Sequence, residues 1–99
     1  MIDFSIVIGF NWDAGNSRKN EGHGVTQAEA EPAFFDPHLL TVGDEKHSIS
    51  GARFHAFGAT EDGRLLHMAF TLRANGMLIR VISARDMSRR ERRHYESQD

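Results

Sequence analysis

Cysteine is missing from this 99-residue chain. Its absence excludes a disulfide scaffold, a thiolate zinc site and a cysteine nucleophile, and it fits a reducing compartment. A membrane-spanning run is missing too. The apolar opening Phe4-Ser5-Ile6-Val7-Ile8-Gly9-Phe10 is far shorter than the roughly 20 residues a spanning helix requires. Asp3 stands where a signal peptide would carry basic residues, and no small-residue cleavage site follows. The chain therefore reads as soluble and cytoplasmic. With no internal repeat, low-complexity tract or linker, one domain over residues 1–99 is expected, able to bury roughly 60–70% of its unfolded surface. The spacing of His38, His47, His55 and His94 matches no metal-ligand pattern such as H-E-x-x-H, so neither a metal site nor a cofactor is expected.

Basic residues are scarce over most of the chain and crowded at its end. The first 72 residues hold five Lys/Arg against ten Asp/Glu, whereas seven arginines fall between Arg73 and Arg93 beside only Asp86 and Glu91. The net charge of −2 thus averages a basic end and an acidic body. This asymmetry points to a polyanion or an acidic partner at the basic end.

Residues 4–10, rich in β-branched and aromatic types, read as a strand. Asp13 can cap a short helix carrying Arg18 and Lys19, stopped by Gly22-His23-Gly24. Thr26-Gln27-Ala28-Glu29 is a capping box opening a second helix, which Asp36-Pro37 ends. Leu39 to Val42 is a short strand, and Gly43 to Gly51 a polar loop. From Arg53 onward the pattern is antiparallel strands on short turns. Glu61-Asp62-Gly63 suits a three-residue hairpin loop and Asn75-Gly76 a two-residue one. Counting outward from these turns sets Arg53 opposite Thr71 and Thr71 opposite Arg80. Those three residues then form a row on one face, shared with His67 and Arg73. Leu66, Met68, Phe70, Leu72, Ile79 and Val81 face the core. Ser88-Arg89-Arg90-Glu91 is another capping box, predicting a helix from about 89 to 97 with little besides Met87 and Tyr95 to bury. The expected fold is α+β: a mostly antiparallel sheet of four to five strands with two N-terminal helices and a C-terminal helix.

Four blocks of residues carry a family likeness. They are Trp12-Asp13 with Asn16, Lys19-Asn20 and His23-Gly24-Val25; Glu29-Ala30-Glu31 with Phe34-Phe35-Asp36-Pro37; Arg53 with Gly58 and Gly63-Arg64-Leu65-Leu66; and Ile79 to Arg85 with Arg89-Arg90-Glu91-Arg92 and Tyr95-Glu96. Over these blocks the chain resembles the BrnT-type ribonuclease toxins of bacterial toxin–antitoxin pairs. The lysine that usually precedes the family's histidine is Gly22 here. The resemblance implies a RelE-like fold, metal-independent RNA cleavage, and neutralisation by a ribbon-helix-helix antitoxin of the BrnA type, with operator DNA reached only through that antitoxin in a hetero-oligomer.

Metal-free RNA cleavage proceeds when the 2′-hydroxyl attacks the adjacent phosphate. It needs a base, an acid and cations at the phosphoryl oxygens. His23 is the first choice as base or acid, with Lys19 near it, and His67 is the alternative. Arg53 and Arg80 make a planar phosphate clamp. Arg85 either binds phosphate or tethers the last helix. Arg89 and Arg92, with Arg90 and Arg93, present a basic face to RNA or antitoxin. Tyr95 either stacks on a base or anchors the helix, and Glu91 is the capping-box acid. The competing reading is a binding module for nucleic acid or antitoxin, without catalysis.

Overall fold

The computed structural model describes residues 2–12, 24–44 and 52–98. The helix expected around residues 13–22, with Lys19 and His23, lies outside the described residues, as does most of the loop expected over 43–51.

The apolar opening is not one strand. Phe4–Ile6 is a short 3-10 turn, and only Gly9–Asn11 (β1) joins the sheet. The Asp3 carboxylate accepts from the Ser5 amide at 3.0 Å and from its hydroxyl at 2.5 Å. That local bonding offers the backbone an alternative to the strand ladder.

Helix α1, Gln27–Ala33, begins at the expected capping box on Thr26 and Glu29. It stops earlier than Asp36-Pro37 would require. Pro32 sits in its last turn, where it has no amide to donate and crowds the carbonyl four residues back. The chain then tightens: Phe34, Phe35 and Asp36 donate to the carbonyls three residues before them.

Strands β2 (Leu40–Asp44), β3 (Arg53–Ala59), β4 (Leu65–Arg73) and β5 (Leu78–Asp86) follow, and helix α2 (Arg89–Glu96) closes the chain. The sheet order is β1-β5-β4-β3-β2, antiparallel except for β1, which runs parallel to β5. The class is the expected α+β, with five strands. It differs in that the sheet is mixed and the described residues hold two α-helices. The long excursion between β1 and β5 supplies the crossover that parallel pairing requires and a tight turn could not.

Ala30, Ala33 and Phe34 of the α1 region, with Val25, pack on the inner sheet face formed by Ala56, Leu66, Met68, Phe70, Ile79, Val81 and Ala84. Leu72 is half-buried at the edge of this core. Glycine is required at position 58, because an added Cβ would strike the Ala33 carbonyl oxygen and lie 2.8 Å from a Leu39 methyl. Arg64 ties the other end of the layer together. Its guanidinium binds Asp86 at 2.7 and 3.1 Å, Glu29 at 3.1 Å and the Gly24 carbonyl at 2.7 Å.

Both hairpins have the expected register: Arg53 pairs with Thr71, and Thr71 with Arg80. Gly63 has φ +84°, the left-handed position of the first loop. In the second loop the left-handed stretch starts early, with Ala74 and Asn75 at φ 54° and 56° before Gly76. A side chain with a Cβ is disfavoured at such φ by roughly 1–2 kcal/mol. Ala74→Gly is therefore expected to raise stability by about 0.5–1 kcal/mol, read as a higher denaturant midpoint at unchanged slope.

Candidate functional site

The outer sheet face, away from α1, collects polar and cationic groups in rungs that cross the strands. One rung spans all five: Asn11 of β1, Arg80 of β5, Thr71 of β4, Arg53 of β3 and Asp44 of β2 are successive partners. The Arg80 guanidinium donates to the Asn11 side chain at 2.7 Å, and the Thr71 hydroxyl donates to the Ala52 carbonyl at 2.6 Å. Two arginines on either side of a threonine are spaced by adjacent strands, each roughly 4.8 Å apart. This is a span suited to a phosphate and its flanking sugar.

β5 does not keep a single alternation. Its register against β4 shifts between Ala69 and Phe70, so one extra residue is accommodated and the later residues change face. Arg85 thereby becomes the partner of His67, on the same face as Arg80 five residues earlier. Strict alternation would have turned Arg85 into the core. The sequence does carry a trace of this. Inward positions pass from Ile79 and Val81 to Ala84 instead of Ser83.

Around His67 the groups form a connected chain. His55 Nδ1 and His67 Nε2 are 2.8 Å apart, and the Phe57 ring stacks on His67 with centroids 4.7 Å apart. Glu91 of α2 reaches within 3.4 Å of His67 Nδ1, which is buried and lacks an aligned hydrogen bond. Arg85 binds both Glu91 oxygens, at 2.9 and 3.0 Å. The Glu91 carboxyl also accepts from the Ser88 amide at 2.8 Å, completing the expected capping box.

Tyr95, one turn from Glu91 on the same side of α2, donates to Asp36, whose carboxylate also takes the Ala59 amide at 2.8 Å and the His38 amide at 2.9 Å. Helix α2 is thus docked mainly by polar tethers at Glu91 and Tyr95, which is how so short a helix with little apolar surface keeps its place. Arg89, Arg90, Arg92 and Arg93 point to solvent.

The predicted residues therefore separate. Arg53, Arg80, His67 and Arg85 come together on one face. Arg85 is engaged with Glu91 and Tyr95 with Asp36. Arg89 and Arg92 are exposed on α2, while Lys19 and His23 lie outside the described residues. Sequence reasoning gave no site role to Asn11 or His55, which the structure adds to the same face. Among the described residues no three of His, Asp and Glu converge as metal ligands, and no helix is long and apolar enough to cross a membrane. A cavity of about 680 Å³ beside α1 is lined by Glu31, Asp36 and Glu61 together with Phe10, Phe35 and two prolines. Those carboxylates would repel a phosphate, so the arginine face is the stronger candidate for a polyanion.

Burial drives the His67 pKa down to about 4, helped by the charge on Arg85 and by His55 and opposed by Glu91. Burial alone would raise the Glu91 carboxyl. Arg85, the Ser88 amide and His67 outweigh it and bring the group down to about 2. Both folded values lie below their ordinary ones, so each group contributes stability that is present at higher pH and lost on acidification. The expected losses fall between about pH 6.5 and 4 for His67 and between about 4.5 and 2 for Glu91. Denaturant midpoints measured across this range should fall with pH, and His67→Gln should flatten the upper window while only weakening the lower one, which Arg85 and the Ser88 amide still maintain.

A face that presents paired guanidiniums, a threonine hydroxyl and imidazoles is the equipment of a protein that handles a phosphodiester. The chain belongs to the BrnT family, described as the ribonuclease toxin of type II toxin–antitoxin systems, whose model matches residues 12–91. A comparison with curated proteins gives no match. The family makes RNA the target and an antitoxin the partner. The matched span includes the cationic row, His55, His67, Arg85 and Glu91.

Proposed function

We propose that this protein is an endoribonuclease toxin that cleaves RNA without a metal ion, holding the scissile phosphodiester across Arg53 and Arg80 on the outer sheet face. The supporting observation is the cross-strand row that places these two arginines on either side of Thr71. As the 2′-oxygen attacks, charge grows on the phosphoryl oxygens. Fixed guanidinium donors stabilise that state more than the ground state, which is the requirement for lowering a barrier. The nucleophile is internal to the substrate, so the reaction needs proton transfer and charge stabilisation but no metal-activated water. His23 and Lys19, carried over from the family resemblance, are proton-transfer candidates. Arg89 and Arg92 extend the cationic surface along the strand of RNA. His67, Arg85 and Tyr95 serve chiefly to hold the face and α2 in position. A BrnA-type ribbon-helix-helix antitoxin is the proposed partner, joining toxin and operator DNA in one hetero-oligomer in the cytoplasm.

The test is incubation of purified protein with RNA in excess EDTA. New ends bearing 2′,3′-cyclic phosphate and 5′-hydroxyl are expected, and RNA that stays intact in EDTA but is cut after adding magnesium would reject the metal-free mechanism.

A further inference from the structure

We infer that His55 is a catalytic residue of this RNA cleavage, accepting the 2′-hydroxyl proton, with His67 and Glu91 as the residues that position it. The inference rests on the ribonuclease reading and adds a proton acceptor within the described face. His55 lies two residues from Arg53 on β3 and on the same side of the sheet. It pairs with Val42 and Ala69, one rung from the arginine row. Alternate residues of a strand stand about 6–7 Å apart, so an imidazole here is within reach of a nucleotide whose phosphate lies against Arg53 and Arg80. Its neighbours across the sheet in this rung, Ala69 and Ser83, are small.

The proton positions follow from charge. Glu91 Oε2, 3.4 Å from His67 Nδ1, favours an N–H there over a lone pair. The Glu91 carboxylate is itself fixed by two bonds from Arg85. With its proton on Nδ1, neutral His67 presents the Nε2 lone pair to His55, whose Nδ1–H donates across 2.8 Å. His55 then carries its own lone pair on Nε2, the nitrogen that would meet the substrate. A carboxylate orienting one imidazole, and that imidazole orienting a second, extends the usual arrangement in which a third group fixes the tautomer of a general base. The low pKa of His67 is consistent with it remaining neutral while His55 cycles.

In the step itself, the 2′-oxygen forms a bond to phosphorus and the bond from phosphorus to the 5′-oxygen breaks. The 2′ proton passes to His55 Nε2, and the departing oxygen takes a proton from solvent. His55 afterwards returns its proton to solvent. Among the described residues, the charged and titratable groups sharing its face are Arg53 on its own strand, His67 and Arg73 from β4, Arg80 and Arg85 from β5, and Glu91 from α2.

Single-turnover RNA cleavage by the full chain, followed from pH 5 to 9, tests the assignment. His55→Asn keeps an N–H that can donate to His67 but cannot accept a proton. It is expected to retain the thermal midpoint, to cleave about 10²–10⁴-fold more slowly, and to lose the acid limb of the rate profile. His55→Ala should be equally slow and regain part of its rate with added imidazole. His67→Gln should stay within about tenfold of the unsubstituted rate and move the acid limb, as a positioning residue would. A His55→Asn protein that cleaves within about threefold of normal with an unchanged profile would overturn the role of His55, even where Arg80→Ala remains defective. RNA left intact by the unsubstituted protein would overturn this inference together with the ribonuclease reading beneath it.

Discussion

Replacing Arg80 with alanine is expected to slow RNA cleavage by about 10²–10³-fold, equivalent to roughly 3–4 kcal/mol of transition-state stabilisation, the range seen when one preorganised donor is removed from a developing oxyanion. The physical reason lies in where Arg80 is anchored. Its backbone is fixed in the ladder against both Asn11 and Thr71, and its guanidinium is steadied by the Asn11 side chain at 2.7 Å. Such a donor is already oriented before charge develops. Arg80→Lys keeps the charge but loses the planar fork and the second donor, so its rate should fall between the two. Asn11→Ala should have a smaller effect than either, since it loosens the guanidinium without removing it. Arg80 is half-buried on the outer face, so the alanine variant should keep its cooperative unfolding. Cleavage within about threefold of normal in a folded Arg80→Ala protein would remove the clamp from the mechanism.

Much of this site was legible in the sequence because two short turns fix register. Gly63 and the Ala74-Asn75-Gly76 corner set the pairing of β3, β4 and the first part of β5, and once those are known the row of Arg53, Thr71 and Arg80 follows by counting. The capping boxes at Thr26 and Ser88 were equally readable, since each depends on residues only three apart. The parts that escaped depend on longer-range or competing interactions. The shift near Ala69 and Phe70 brings Arg85 to the outer face, and a period-two count cannot anticipate an extra residue in one strand. Asp3 diverted the apolar opening into a 3-10 turn through a bond no hydrophobic pattern records. Parallel pairing of β1 with β5 joins residues nearly seventy positions apart, where no turn signal exists. The contact of His55 with His67 required the cross-strand offset as well as the side-chain rotamers.

Phe70→Ala is expected to cost about 3–5 kcal/mol, the usual penalty for deleting a buried aromatic ring and leaving its space incompletely filled. Phe70 is fully buried on β4, the central strand. Its ring meets Phe34 at 5.2 Å nearly edge-on, Phe54 at 5.5 Å and Phe4 at 6.3 Å, so one residue joins the N-terminal turn, the end of α1 and two strands. Neighbours drawn from three separate segments cannot all move into the vacated space together, which keeps the cavity open and the cost high. Small domains have only about 5–15 kcal/mol in total, so this variant should be close to unfolding at physiological temperature. Phe70→Leu should lose markedly less, because it retains most of the apolar volume. The effect should extend beyond stability. Phe70 adjoins Thr71 and sits at the point where the β4–β5 register changes, so its packing holds the strand segment that aligns Arg53 with Arg80. At a temperature where Phe70→Leu is still folded, its cleavage rate should fall further than its folded fraction does. An alanine variant losing less than about 1 kcal/mol would mean that the four rings are not packed as a single cluster, and the outer row would then need another source of rigidity.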